Sequence, residues 1–158
     1  MALSLSQAAR DAEEVAAGLQ VFEDNVRDDP ELHLSIRDLL KLTERLRALD
    51  LLYHPELNSL LNGDVNLLLS SLQYTLGRVR VMFGETRYVR DGHRLYRVAW
   101  DDMCYELRQS EHGQGLKERL SLYEVFINDM INVLSGYVSG RNVNVNVRLK
   151  VLQDTHAV

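Results

Sequence analysis

The chain of 158 residues has one cysteine, two prolines and one tryptophan, and no apolar run that approaches the roughly 18 residues a membrane-spanning helix requires. A lone Cys104 excludes an internal disulfide. The opening "MALSLSQAARDAEEVAAG" lacks the basic start and continuous apolar core of a secretory leader, so a reducing, intracellular and cytoplasmic setting is expected. Glycine-rich phosphate loops are missing too: "GETRYVRDG" and "HGQGLKERL" have neither the spacing nor the lysine of such a loop. No fixed-period repeat points to a solenoid.

Positive charge is in deficit overall. With 18 Lys and Arg against 23 Asp and Glu, the formal charge is −5, which argues against general nucleic-acid binding. The imbalance is uneven along the chain. Residues 1–50 hold eleven acids and six bases, whereas 78–97 holds Arg78, Arg80, Arg87, Arg90, Arg94 and Arg97 against Glu85 and Asp91. Arg87, Arg90, Arg94 and Arg97 are therefore candidates for binding an anionic partner, including an acidic lipid surface. The competing reading is that acidic and basic helices neutralise one another within the fold.

What the sequence has in quantity is helical periodicity. At 46% apolar and 26% charged, it has the composition of one ordinary globular domain with a substantial core. Ala8, Ala12, Val15, Leu19, Phe22 and Val26 form one stripe from about Ser6. "RDDPEL" stops that helix and starts another, with Asp29 as cap and Pro30 in the first turn. Leu32, Ile36, Leu39, Leu42, Leu46 and Leu49 carry the second helix to about Leu52. Pro55 is expected to begin a short helical piece through Leu61, and "NGD" at 62–64 to form a turn or kink capped by Asp64. A longer helix with Val65, Leu68, Leu69, Leu72, Leu76, Val79 and Phe83 follows; its apolar positions exceed one stripe, which marks it as the central element.

Asp91-Gly92 between short alternating runs is a hairpin signal. Tyr96, Trp100, Met103 and Leu107 nevertheless follow at helical spacing, which favours a loop and then a helix from Gly92 to Ser110. "EHGQG" breaks it, and Leu116, Leu120, Tyr123, Ile127, Met130, Leu134 and Tyr137 define the last helix. The expected fold is all-α: an antiparallel bundle of about five helices over residues 1–140, with 141–158 as a separate tail.

Reactive side chains do not converge in this pattern. His33, His54, His93, His112 and His156 are scattered, and none stands at a metal-ligand spacing from another ligand. Asp28-Asp29 and Asp101-Asp102 are adjacent pairs whose members face different directions on a helix, so helix-terminal charge explains them better than shared acid-base chemistry. Cys104 falls on the buried stripe of the fourth helix and reads as a small core residue. No catalytic residue, metal site or cofactor is expected.

Phe83, Gly84, then Arg94, Tyr96, Arg97 and Trp100 in "R-x-Y-R-x-x-W", Glu111 before a break, and Leu116, Arg119, Leu120, Tyr123 and Phe126 in "L-x-x-R-L-x-x-Y-x-x-F" make up a recurring shape. It resembles a helical domain found near the N-termini of fungal multidomain proteins. "IRDLLKLTERLRALDLL" is similar to the helical N-terminal domains of fungal signalling and immune-type ATPases. Together these cover about residues 1–140. The resemblance implies an adaptor without catalytic residues, although those proteins continue into further sequence where this chain stops soon after "SGYVSGRNVNVNV".

That ending is the one part that does not read as helix. In "RNVNVNVRLKV", Val143, Val145, Val147, Leu149 and Val151 alternate with polar residues, so a strand gathers all five on one face. A lone strand needs a partner for its backbone groups. Pairing between two copies is one solution, and the basic excess of 141–158 opposes stacking into a fibre, favouring a finite dimer; an untethered, disordered end is the alternative. The function expected from the sequence is a non-enzymatic protein–protein interaction or adaptor module, with self-association through 143–151 as one mode; the alternative function is peripheral binding of anionic lipid or another anionic partner through 78–97.

Overall fold

A computed structural model describes residues 4–26, 29–86, 93–109 and 114–136, with the side chains of His93 and Arg94 excepted. These form five α-helices, α1 (Leu5–Asn25), α2 (Pro30–Leu52), α3 (Asn62–Thr86), α4 (His93–Arg108) and α5 (Leu116–Leu134), with a 3₁₀ turn at Ser59–Leu61. The all-α bundle expected from the apolar stripes is present, and no strand occurs among the described residues.

Local chemistry sets the boundaries. Ser4 Oγ accepts the Gln7 N–H at 3.1 Å, and Asp29 Oδ1 accepts the Leu32 N–H at 3.1 Å, so each helix start has one of its orphan donors satisfied. Pro30 occupies the first turn of α2 as its ring geometry favours. At the start of α5 the Glu118 carboxylate accepts the Gly115 N–H at 2.8 Å. The same helix ends where Gly136 takes φ of +79°, a left-handed conformation that stops the helix without a Cβ penalty. Tyr137 lies outside the described residues.

Two expectations between α2 and α3 are corrected. Residues 55–61 do not form a continuous helical piece: Asn58 Oδ1 accepts the His54 N–H at 2.9 Å, and the His54 carbonyl accepts the Leu57 and Asn58 N–H groups. These bonds close a single turn over 54–58, and the Asn58 carbonyl then accepts the Leu61 N–H, so the chain continues as three residues in 3₁₀ form. "NGD" is not a break but the first turn of α3, which places Asp64 near the positive end of the helix dipole. Asn62 is held by a hydrogen bond from the Tyr53 hydroxyl. The choice between hairpin and helix after Gly92 falls to the helix, because α4 begins at His93 and runs unbroken through Trp100.

The helices are arranged as a four-membered ring with a fifth across one end. α1 packs on α2, α2 on α5, α5 on α3 and α3 on α1, while α4 leans on α3 and α1. Cross-links give the directions. Arg47 pairs with Glu13 and His33 with Glu23, so α1 and α2 run antiparallel. Arg80 bonds Asp11 and Glu14 while Phe83 meets Phe22, so α3 runs with α1. α5 opposes α3, because Tyr123 meets Ser71 and Thr75 while Arg119, one turn earlier, lies over the Tyr74 ring. α1, α2 and α3 thus alternate in direction, as short connections demand, and α4 crosses the end between α3 and α5. Yet α2 and α5, neighbours in space, are parallel.

The core unites the apolar stripes of all five helices in one cluster, from Leu5 and Ala8 through Leu42 and Leu72 to Trp100 and Met130. Small residues of α1 allow close approach: a Cβ on Gly18 would lie 2.6 Å from the Phe83 ring. Phe22 stands edge-on to Tyr96 at 4.7 Å between centroids, bringing α4 onto the end of α1. α3 touches three helices, and α1 does the same, so the central role expected of α3 is shared.

One buried polar cluster crosses this core. The Tyr123 hydroxyl lies 2.7 Å from both Ser71 Oγ and Thr75 Oγ1 and also bonds the Ser71 carbonyl at 3.2 Å. All three side chains are buried. Tyr123→Phe deprives two buried hydroxyls of their partner and is expected to lower stability by about 1–2 kcal/mol, measured as a reduced urea midpoint with unchanged helical circular dichroism.

Candidate interaction surface

Much of the charge segregation seen in the sequence is used inside the fold. Arg78 of α3 pairs with Glu106 of α4, and Arg80 bridges Asp11 at 2.9 Å and Glu14 at 3.0 Å on α1. Of the four arginines singled out for an anionic partner, Arg97 lies on the exposed face of α4 with its Nε 4.0 Å from Asp101. Arg87 and Arg90, and the side chain of Arg94, lie outside the described residues. Exposed pairs such as these add little stability individually, so their main effect is to hold helix register.

Of the two carboxylate pairs expected to serve helix termini, Asp29 does so, whereas Asp101 and Asp102 fall in the middle of α4. Asp29 caps α2 through one oxygen and accepts the Trp100 Nε1–H at 2.9 Å through the other, which ties α4 to the start of α2. Beside it, Arg108 donates to both oxygens of Glu31 at 2.8 and 2.9 Å, and this hydrogen bond raises the Arg108 pKa above its usual value. Asp101 and Asp102 are exposed, while Asp28 lies outside the described residues. His33 and His54 sit apart at the surface, and no group of three or more potential metal ligands occurs among the described residues.

Half of the residues quoted for the resemblance are packing residues, while Gly84 and Arg97 are exposed. Trp100, Leu116, Arg119, Leu120, Tyr123 and Phe126 are all fully buried. Arg119 was not singled out as a core residue by its charge, yet its Nε donates to the Gln114 carbonyl at 3.0 Å and its Nη2 to the Leu107 carbonyl at 3.4 Å. It thereby joins the end of α4 to the start of α5, with its guanidinium 5.7 Å from the centre of the Tyr74 ring. That half of the resemblance concerns the interior.

The exposed feature that sequence reasoning missed lies at the opposite end from α4. Leu51 is 79% exposed, Leu57 80% and Leu60 92%, all within ten residues of chain, and Leu52 adds to them. Next to these leucines opens a groove of about 350 Å³ bordered by Leu5, Asp50, Tyr53, Pro55, Asn62 and Val65. Its signal was present: Leu51 stands two residues, some 200° of helix, past Leu49 and so off the buried stripe of α2. A weaker apolar line, Leu95, Val98 and Tyr105, marks the outer side of α4 but is interrupted by exposed Asp102.

The leucine end is also acidic. Residues 48–66 contain Asp50, Glu56 and Asp64 and no Lys or Arg; residues 120–136, which return to this end along α5, contain Glu124 and Asp129 and again no Lys or Arg. Scattered exposed leucines are ordinary, but a cluster beside a groove is the form of a binding surface; Arg10 and Arg47 border Leu51 and Asp50, so the acidic excess belongs to the Glu56 side of the cluster.

Cys104 is buried in α4, and burial, with Glu31 adding to it, pushes its thiol up to about 12. Since the thiolate is the reactive form, a maleimide at pH 8 is expected to label Cys104 far more slowly in the native protein than in guanidinium, read by intact mass. Rapid native labelling would show that α4 does not sit on the bundle as described.

No helix among the described residues is long and apolar enough to cross a membrane. No family model, curated protein or solved structure matches this chain.

Proposed function

We propose that the chain is a non-enzymatic helical interaction module that binds, through its leucine end, a protein segment with an apolar face flanked by Lys or Arg. The observation that carries this reading is the group Leu51, Leu57 and Leu60, each at least 79% exposed, in a stretch, residues 48–66, that itself has no Lys or Arg. Water gains nothing from solvating such a cluster. Burying a leucine side chain is worth about 1.5–3 kcal/mol, so a partner covering two or three of them obtains a useful share of its binding energy from this patch alone. Asp50 and Glu56, both exposed, select basic flanks over acidic ones. An adaptor role is also what the resemblance to fungal N-terminal helical domains implies.

Leu57→Glu combined with Leu60→Glu tests the assignment. Both side chains point into solvent, so the melting behaviour should change by no more than about 0.5 kcal/mol. Affinity for a partner identified by capture on the native chain should fall at least about a hundredfold, the loss expected for two unburied leucines. Unchanged partner affinity, or a saturable turnover of a small metabolite abolished by one pocket substitution, would overturn the reading.

A further inference from the structure

We infer that the acidic leucine end is the docking site of residues 141–151 of the same molecule, so that the chain covers its own binding surface and a partner must displace this segment. The inference rests on the interaction reading above and names the regulation of that surface.

Chain path is the first argument. Arg108 bonds Glu31 at the start of α2 and Arg119 bonds the Leu107 carbonyl, so α5 starts where α2 starts and runs against α3, with Tyr123 meeting Ser71 and Thr75. From that contact α5 advances about 17 Å to Leu134, and α3 extends back about 14 Å to Asn62, at 1.5 Å per residue. The end of α5 is therefore level with the 3₁₀ turn at Ser59–Leu61, which carries Leu60. Gly136 ends the described helix at this level, and the step from there to residue 141 spans up to about 17 Å when extended.

Pattern and charge are the second and third. Val143, Val145, Val147, Leu149 and Val151 share one face when the segment is extended, which makes an apolar edge of about 26 Å. That edge matches exposed leucines rather than water. Arg141, Arg148 and Lys150 against Asp154 give the tail a basic excess, opposite in sign to Asp50, Glu56, Glu124 and Asp129. The tether then does the rest: a segment held a few residues away acts at millimolar effective concentration, above that of any second copy in dilute solution.

Cross-linking in the full chain tests this directly. Leu60→Cys with Val147→Cys, treated briefly with a short bismaleimide, should give an internally linked monomer at least about tenfold faster than Leu40→Cys with Val147→Cys, where residue 40 is an exposed leucine on the flank of α2. Cys104 stays out of the reaction because it is buried. Adding Arg148→Glu and Lys150→Glu should slow the reaction of the first pair and leave that of the second unchanged. Equal rates for the two pairs, or a linked dimer as the main product, would overturn the inference. If the rates are equal while Leu57→Glu with Leu60→Glu still abolishes partner binding, self-covering fails and the interaction surface stands.

Discussion

The hydroxyl of Tyr123 is the constraint on which the rest of the arrangement depends. Buried between α3 and α5, it can be satisfied only where Ser71, Thr75 and the Ser71 carbonyl surround it. An apolar interface tolerates sliding by a turn at modest cost, but a hydroxyl removed from its partners in the core costs a full desolvation penalty. Register between α3 and α5 is thereby set. With α5 fixed, the level at which α5 ends is fixed too, and that level is the leucine end.

The other end is closed by a different device. α4 buries Ala99, Trp100, Met103, Cys104 and Leu107 against the ring, chiefly on α3, and is further held by Asp29 accepting from Trp100, by Arg108 on Glu31, by Glu106 on Arg78, and by Tyr96 against Phe22. Asp29 links two levels of structure, since the carboxylate that starts α2 is also the acceptor that positions α4. Acidic and basic stretches far apart in sequence meet here and along α1, where Asp11 and Glu14 take Arg80. Ion pairs of this kind contribute specificity of helix placement more than stability.

Helix existence was legible because apolar spacing is a direct record of which face is buried: the stripe Leu32 to Leu49 is buried along its whole length. Caps such as Asp29 with Pro30 were legible for the same local reason. What was not legible depended on partners distant in sequence. The single turn over 54–58 is closed in part by the Asn58 side chain, which spacing does not reveal, and Arg119 became a core residue only because carbonyls of Gln114 and Leu107 converge on it. For Arg78 and Arg80 the sequence left open an anionic partner or neutralisation by acidic helices, and the acids of α1 and α4 supply the second. The leucine end escaped notice because three leucines outside a stripe look like noise until their exposure is known. Val143, Val145, Val147, Leu149 and Val151, singled out for self-association, lie outside the described residues.

The two ends of the molecule then have different characters. One is sealed by α4 and its ion pairs, and the other presents leucines and a groove close to the end of α5. The measurement that tests this account most directly is methyl-resolved NMR of the full chain with and without Val147→Asp, Arg148→Glu and Lys150→Glu together. Shifts concentrated on the methyls of Leu51, Leu57 and Leu60 are predicted; unchanged spectra there, or shifts spread equally over Leu40 and Leu95, would contradict it.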